Sequence, residues 1–133
     1  MTWKIDRVAG ADLDMREVLS VYRSSGLSER RPTADSERFS AMLRQANLVV
    51  VCRVADELVG IARSVSDFAY VTYLADIAVA RAHQNSGIGR ALIDATRREA
   101  PAAKIVLLSA PAATGYYPHL GFARHDSAWV LNP

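Results

Sequence analysis

The sequence predicts an α/β domain in which helices cover a mixed central β-sheet. Three observations lead to that class. β-rich runs at Leu48 to Val54, Leu58 to Val65 and Tyr70 to Val79 follow one another with short breaks. Segments with apolar residues at helical spacing lie before and after them. A turn carrying two glycines, Gln84 to Gly89, then leads from the third run directly into a helical pattern. The predicted order is β-α-α-β-β-β-α-β-α-β, with about four helices on one sheet. At 133 residues the chain has the length of one domain, and residues 1–133 are read as such.

Each element has its own justification. Thr2 to Val8 alternates weakly through Trp3 and Ile5 and makes a short first strand. Asp12 is placed to cap a helix carrying Leu13, Val18, Leu19 and Tyr22, which Gly26 stops. Ser24 to Pro32 is a polar loop with Glu29, Arg30 and Arg31. Pro32-Thr33 opens a second helix, with Thr33 as N-cap and Phe39, Met42 and Leu43 as its buried stripe. Only Ala55-Asp56-Glu57 separates the next two runs, which predicts an antiparallel hairpin. After Tyr70 to Val79, a helix places Ile88, Ala91, Leu92 and Ala95 on one face, with Arg90, Asp94, Arg97 and Arg98 elsewhere around it. Pro101 ends it. Lys104 to Ser109 is a continuous apolar run of the kind found in a strand buried on both faces. Pro111 to Leu120 is read as a short helix ended at Gly121, and Trp129 to Leu131 as a last strand.

Composition excludes several classes. Sixteen basic residues against fourteen acidic ones leave a net charge of only +2, and the basic residues are scattered. Arg30-Arg31 and Arg97-Arg98 are the densest spots and read as solvated surface, so no nucleic-acid partner is expected. Cys52 stands alone in an apolar run, which fits a buried structural thiol. No apolar run approaches the ~20 residues of a membrane helix, and the N-terminus lacks a signal-peptide pattern. A soluble, cytoplasmic protein without a membrane partner is expected. His83, His119 and His125 have no metal-ligand spacing, so no metal is expected.

The chemistry is concentrated in Gln84 to Gly89. Gly87 and Gly89, after a strand and opening a helix, allow a tight turn and close backbone approach to a ligand. Free N–H groups and the positive end of the helix dipole then form an anion site suited to a phosphate or pyrophosphate. Taken by itself, a Gly-x-Gly more often serves the turn alone. A P-loop is excluded because Ile88-Gly89-Arg90 follows Gly87, and a dinucleotide fingerprint is excluded because no third glycine follows.

Asp76-Ile77-Ala78-Val79, followed after a short gap by Gln84-x-x-Gly87-x-Gly89, resembles the cofactor motif of the GCN5-related N-acetyltransferases (GNAT). Tyr116-Tyr117-Pro118-His119-Leu120-Gly121-Phe122 resembles that family's second landmark, one strand later. The resemblance covers essentially the whole chain and implies a single-domain GNAT-like fold. It implies acetyl-CoA as co-substrate and direct acetyl transfer to a primary amine, of a small molecule or a protein, in a ternary complex. It also implies that the backbone amides of Gln84, Asn85, Ser86, Gly87, Ile88, Gly89 and Arg90 cradle the pyrophosphate. Ile77, Ala78 and Val79 would pair with the pantetheine arm, one of their amides holding the acetyl carbonyl. Tyr117 would act as general acid on the departing thiolate. The family often carries an asparagine where this chain has Ala110, and basic or glycine residues where it has Asn85 and Ser86. Homodimers are common among proteins of that family, so the resemblance leaves a homodimer open, while the sequence does not fix the oligomeric state.

The attacking amine must lose a proton, and Asp76, on the strand beside the acetyl group, is the first candidate base. A carboxylate satisfied by an Arg is the competing reading. The run Gly60-Ile61-Ala62-Arg63-Ser64-Val65-Ser66-Asp67 is similar to the branch containing plastid serotonin and protein-lysine N-acetyltransferases, which implies that Arg63 and Asp67 shape the acceptor site. An Arg–Asp pair that only fastens the strand end is the alternative. A module that binds acetyl-CoA or CoA without catalysis is the rival function.

Overall fold

The computed structural model describes residues 2–133. Among these residues, five strands and three α-helices are formed: β1 (Lys4–Val8), α1 (Met15–Ser25), α2 (Ser36–Gln45), β2 (Leu48–Val54), β3 (Glu57–Ser66), β4 (Val71–Val79), α3 (Ile88–Glu99) and β5 (Lys104–Val106). The strands form one sheet in the order β1-β2-β3-β4-β5. The first three pairings are antiparallel and β4 pairs with β5 in parallel, so the sheet is mixed as expected.

Strand side chains alternate between faces, and β2 shows why both faces need cover. Leu48, Val50 and Cys52 pack with Leu92 and Ala95 of α3 on one side. Val49 and Val51 pack with Val18, Tyr22, Phe39 and Leu43 of α1 and α2 on the other. β2 therefore reads as an unbroken apolar run because it is buried twice over. Cys52 is fully buried, and burial pushes its thiol up to about 11, in keeping with a structural role.

Two helix starts differ from expectation. Asp12 falls in a short 3-10 turn, Gly10–Asp12, and Asp14 caps α1 instead, accepting from the Arg16 amide at 2.8 Å. Thr33 lies in a turn closed by its own amide on the Arg31 carbonyl, so α2 begins after Asp35, which accepts from the Arg38 amide at 3.1 Å. Gly26 ends α1 as expected, in the left-handed conformation with φ 89°.

The C-terminal third departs further. Pro111 to Leu120 forms two 3-10 turns, Pro111–Ala113 and Tyr117–Leu120, in place of a fourth helix. Gly115 disfavours helix, and Pro118 lacks the N–H an α-helix needs and crowds the preceding turn. β5 stops at Val106, short of the expected Ser109. Val106 and Leu108 are 43% and 48% exposed, so this run is an alternating edge strand rather than one buried on both faces. Its outer edge has no ladder partner among the described residues, because Trp129 to Leu131 does not form the expected last strand; Trp129 is 92% and Leu131 98% exposed.

Candidate functional site

The parallel ladder between β4 and β5 covers only Val71 to Tyr73 against Lys104 to Val106. From Leu74 to Val79, β4 keeps its β3 partners but has none on the β5 side. The two strands part, and a cleft of ≈ 700 Å³ opens along the freed edge. Ile77, Ala78 and Val79 border it. One wall is the start of α3, and the opposite wall is Gly26, Leu27 and Arg30; Tyr116 and Tyr117 close a third side.

The local sequence explains the α3 wall. A 3-10 turn at Arg81–His83 reverses the chain after β4. The Gln84 side-chain amide donates to the Val79 carbonyl at 2.9 Å, and the Ser86 hydroxyl donates to the His83 carbonyl. Asn85 and Gly87 both take left-handed backbone, with φ of 61° and 91°, which asparagine and glycine tolerate best. The first amide of α3 with a helical partner is that of Ala91, donating to the Gly87 carbonyl. No side chain caps the helix. Among the described residues the amides of Ile88, Gly89 and Arg90 thus have no partner at the positive end of the helix dipole, beside the cleft. A Cβ on Gly89 would stand 2.8 Å from the Tyr116 hydroxyl, so that turn also requires glycine for space.

Asp76 has a different character. Its side chain is 0% exposed. Tyr22 and Arg63 donate to one carboxylate oxygen at 2.6 Å each, and Arg31 donates to the other at 2.5 Å. Burial alone would raise its pKa, but the hydrogen bond and charge of Arg63, with help from Tyr22 and Arg31, outweigh it and hold the carboxyl below the usual range. Burial first, and then the Asp76 charge, push the Tyr22 hydroxyl well up. A carboxylate so saturated is a poor proton acceptor, which removes the physical basis for Asp76 as general base. Arg31, read from sequence as solvated surface, is the clamp: its guanidinium also donates to the Ala75 carbonyl at 2.9 Å. Ala75 is the extra residue of a β-bulge, since pairing passes from Arg63–Asp76 to Ser64–Leu74, so its carbonyl is turned out of the ladder.

Arg63 does not pair with Asp67. It joins Asp76 to the Met42 carbonyl, and its side chain is 11% exposed. Asp67 accepts from the Ala69, Tyr70 and Val71 amides at 2.8, 2.7 and 3.0 Å, folding the β3–β4 loop. The Tyr70 amide first, then those of Ala69 and Val71, lower its pKa. It stands at the end of the hairpin away from Ile77, roughly 20 Å along the strand, so the structure does not bring it to the cleft.

Tyr117 is brought there. Its ring meets Tyr116 and Phe122 edge-on at 5.2 and 5.5 Å, and burial, then Tyr116, raise its pKa. His83 also lines the cleft, with a buried Nδ1 lacking a hydrogen-bond partner. Among the described residues no three His, Cys, Asp or Glu side chains are grouped as metal ligands would be, and no helix is long and apolar enough to cross a membrane. The partners of Asp76 that sequence reading missed are Tyr22 and Arg31. The one available signal was that an acid on a buried strand demands donors, and a polar loop with arginines lay one helix away.

Comparison with known proteins closes the identification. Several solved structures share the fold. A GNAT-family acetyltransferase from Streptococcus pneumoniae aligns with TM-score 0.76 and 18% identity over 99% of this chain and 100% of its own. An aminoglycoside acetyltransferase from an uncultured soil metagenomic sample aligns with TM-score 0.70 and 21% identity over 98% of this chain and 95% of its own. An acetyltransferase from Trypanosoma brucei aligns with TM-score 0.67 and 21% identity over 99% and 100%. No curated protein sequence matches the chain. Residues 18–132 match the family model of the acetyltransferase (GNAT) domain, and the chain belongs to the GNAT family of acetyltransferases.

Proposed function

We propose that residues 1–133 form one N-acetyltransferase domain that moves an acetyl group from acetyl-CoA directly to a primary amine in a ternary complex. The carrying observation is that the uncapped α3 amides and the unpaired edge of β4 face one cleft. Acetyl-CoA, the family's co-substrate, fits this pair of features: an anionic pyrophosphate beside free N–H groups, and an amide-bearing arm along a free strand edge. When bound it supplies the thioester carbonyl that the amine attacks.

The residues then divide the work. Amides from Gln84 to Arg90 hold the pyrophosphate. Ile77 to Val79 hold the arm, and one of their N–H groups polarises the acetyl carbonyl. Tyr117, kept protonated by its raised pKa, donates its proton to the sulfur as the C–S bond breaks. The amine nitrogen forms the new C–N bond, and its surplus proton passes through cleft water to restore Tyr117. Among the described residues no Asp or Glu lines the cleft, so water takes the part first given to Asp76. The family resemblance and a neighbour named as an aminoglycoside acetyltransferase support an amine acceptor.

Thermal unfolding with and without acetyl-CoA tests the reading, followed by thiol release with a panel of amines. Ligand at about 100 times its Kd stabilises the fold by about 2.7 kcal/mol. No shift in melting temperature would mean that the cleft does not hold acetyl-CoA; a shift without thiol release from any amine would favour a binding module.

A further inference from the structure

The charges lining the cleft all have one sign. Arg30 and Arg90 supply them, and among the described residues no Asp or Glu does. Arg90 belongs to the first turn of α3, where its guanidinium reaches toward the His119 carbonyl at 3.4 Å. Arg30 stands on the opposite wall, at the end of the 3-10 turn Leu27–Arg30. Its backbone is fixed: its carbonyl accepts from Arg31 at 2.8 Å, and Arg31 is itself clamped to Asp76. Among the described residues the Arg30 guanidinium has no acidic partner, while Leu27, Ile77 and Tyr117 give the cleft apolar surface.

We infer that the acceptor is an amine bearing a carboxylate, of the amino-acid class, and that Arg30 binds that carboxylate; the inference rests on the acetyl-transfer reading above. A guanidinium on a fixed backbone presents a planar fork that matches a carboxylate with two parallel hydrogen bonds. A polyamine or other polycation would bring several ammonium groups into a cleft with no carboxylate to hold them and an arginine to repel them. The carbon part of an amino acid meets the apolar surface, while the amine points toward Ile77 and the open edge of β4.

The experiment compares thiol release from acetyl-CoA with the common amino acids, their amides and spermidine. The amino acids should exceed their amides by about tenfold or more in kcat/KM, as expected for a hydrogen-bonded charge pair, and spermidine should be the poorest. Arg30→Ala should remove the advantage of acid over amide, and Arg30→Glu should reverse it, with acetyl-CoA affinity unchanged in both. Equal rates for acid and amide, a preference for spermidine, or a loss of acetyl-CoA affinity in Arg30→Ala would overturn the inference. If no amine releases thiol, titration of the CoA-saturated protein with N-acetylphenylalanine, N-acetylalanine and their amides decides it. Tighter binding of the acids that disappears in Arg30→Ala sustains the acceptor class while the catalytic reading fails. Equal binding of acids and amides ends the inference.

Discussion

Asp76 and the start of α3 lie at the two ends of the same short stretch of chain, and their polar groups are treated in opposite ways. Every strong interaction open to Asp76 is made within the protein, by Tyr22, Arg31 and Arg63. The amides of Ile88, Gly89 and Arg90 make none among the described residues. A buried carboxylate that belongs to the scaffold needs such partners, because an unmet buried polar group costs about 1–3 kcal/mol. Groups left unmet beside a cleft are available to a ligand. On the proposed reading, the difference separates a charge that holds the fold from groups left free for a ligand, though both lie within the same motif of the sequence.

The most severe way to break the first half of the comparison is Asp76→Ala. It strands the Arg63 and Arg31 charges in a largely buried setting, and removing one partner of a buried ion pair costs about 3–5 kcal/mol. Denaturant unfolding should show that loss, while the fraction of variant that remains folded binds acetyl-CoA normally and turns over. A folded variant with unchanged stability but no turnover would return Asp76 to the role of base. Acid gives a second check of sign. The folded carboxyl titrates below the ordinary value, so its stabilisation is complete above the unfolded-chain pKa of about 3.9 and is lost as pH falls through the lower folded value. Wild type should therefore lose stability below about pH 4 more steeply than Asp76→Ala.

Gly87→Asp attacks the other half. It sets a negative charge at the mouth of the anion site, and like charges brought together cost several kcal/mol, roughly 10³-fold in the Kd for acetyl-CoA. Gly87→Asn separates charge from backbone strain, since asparagine tolerates the left-handed φ of 91° that Gly87 adopts. Titration should show Asn close to wild type and Asp far weaker. Equal weakening of both would assign the effect to strain and leave the anion site unsupported.

Tyr117→Phe sharpens the comparison within the cleft, because it removes the proposed proton donor and keeps the ring contacts with Tyr116 and Phe122. Turnover should fall roughly 10²-fold, with little change in the KM for acetyl-CoA. A KM effect alone would make Tyr117 a packing residue.

Much of this was legible in advance, for physical reasons that differ by region. The runs of β2, β3 and β4 are long, apolar and flanked by clear breaks, and α3 carries its stripe from Ile88 to Ala95, so local pattern and tertiary burial agree. The loop at Gly87 was legible because its left-handed backbone requires a particular residue. Asp14 and Asp35 were not distinguished as caps from Asp12 and Thr33, since suitable oxygens two residues apart compete and only the preceding turn decides. The role of Asp76 was hidden because its partners are 54, 45 and 13 residues away in sequence. Arg30 was hidden for a related reason: a loop arginine reads as surface until the fold places a cleft in front of it.

The smallest expected effect lies where the sequence pattern and the structure disagree most. Trp129-Val130-Leu131 has the composition of a strand, yet Trp129 and Leu131 are 92% and 98% exposed and lie outside every ladder. A side chain that buries nothing contributes little, so Trp129→Ser and Leu131→Ser should each change stability by less than about 0.5 kcal/mol in dilute solution. A loss above about 2 kcal/mol that grows with protein concentration would show that this segment is buried by association. The open outer edge of β5 (Lys104–Val106) is what such a strand would pair with, covering the exposed Val106 and, just beyond the strand, Leu108. A large effect independent of concentration would instead mean that the segment folds back onto its own sheet.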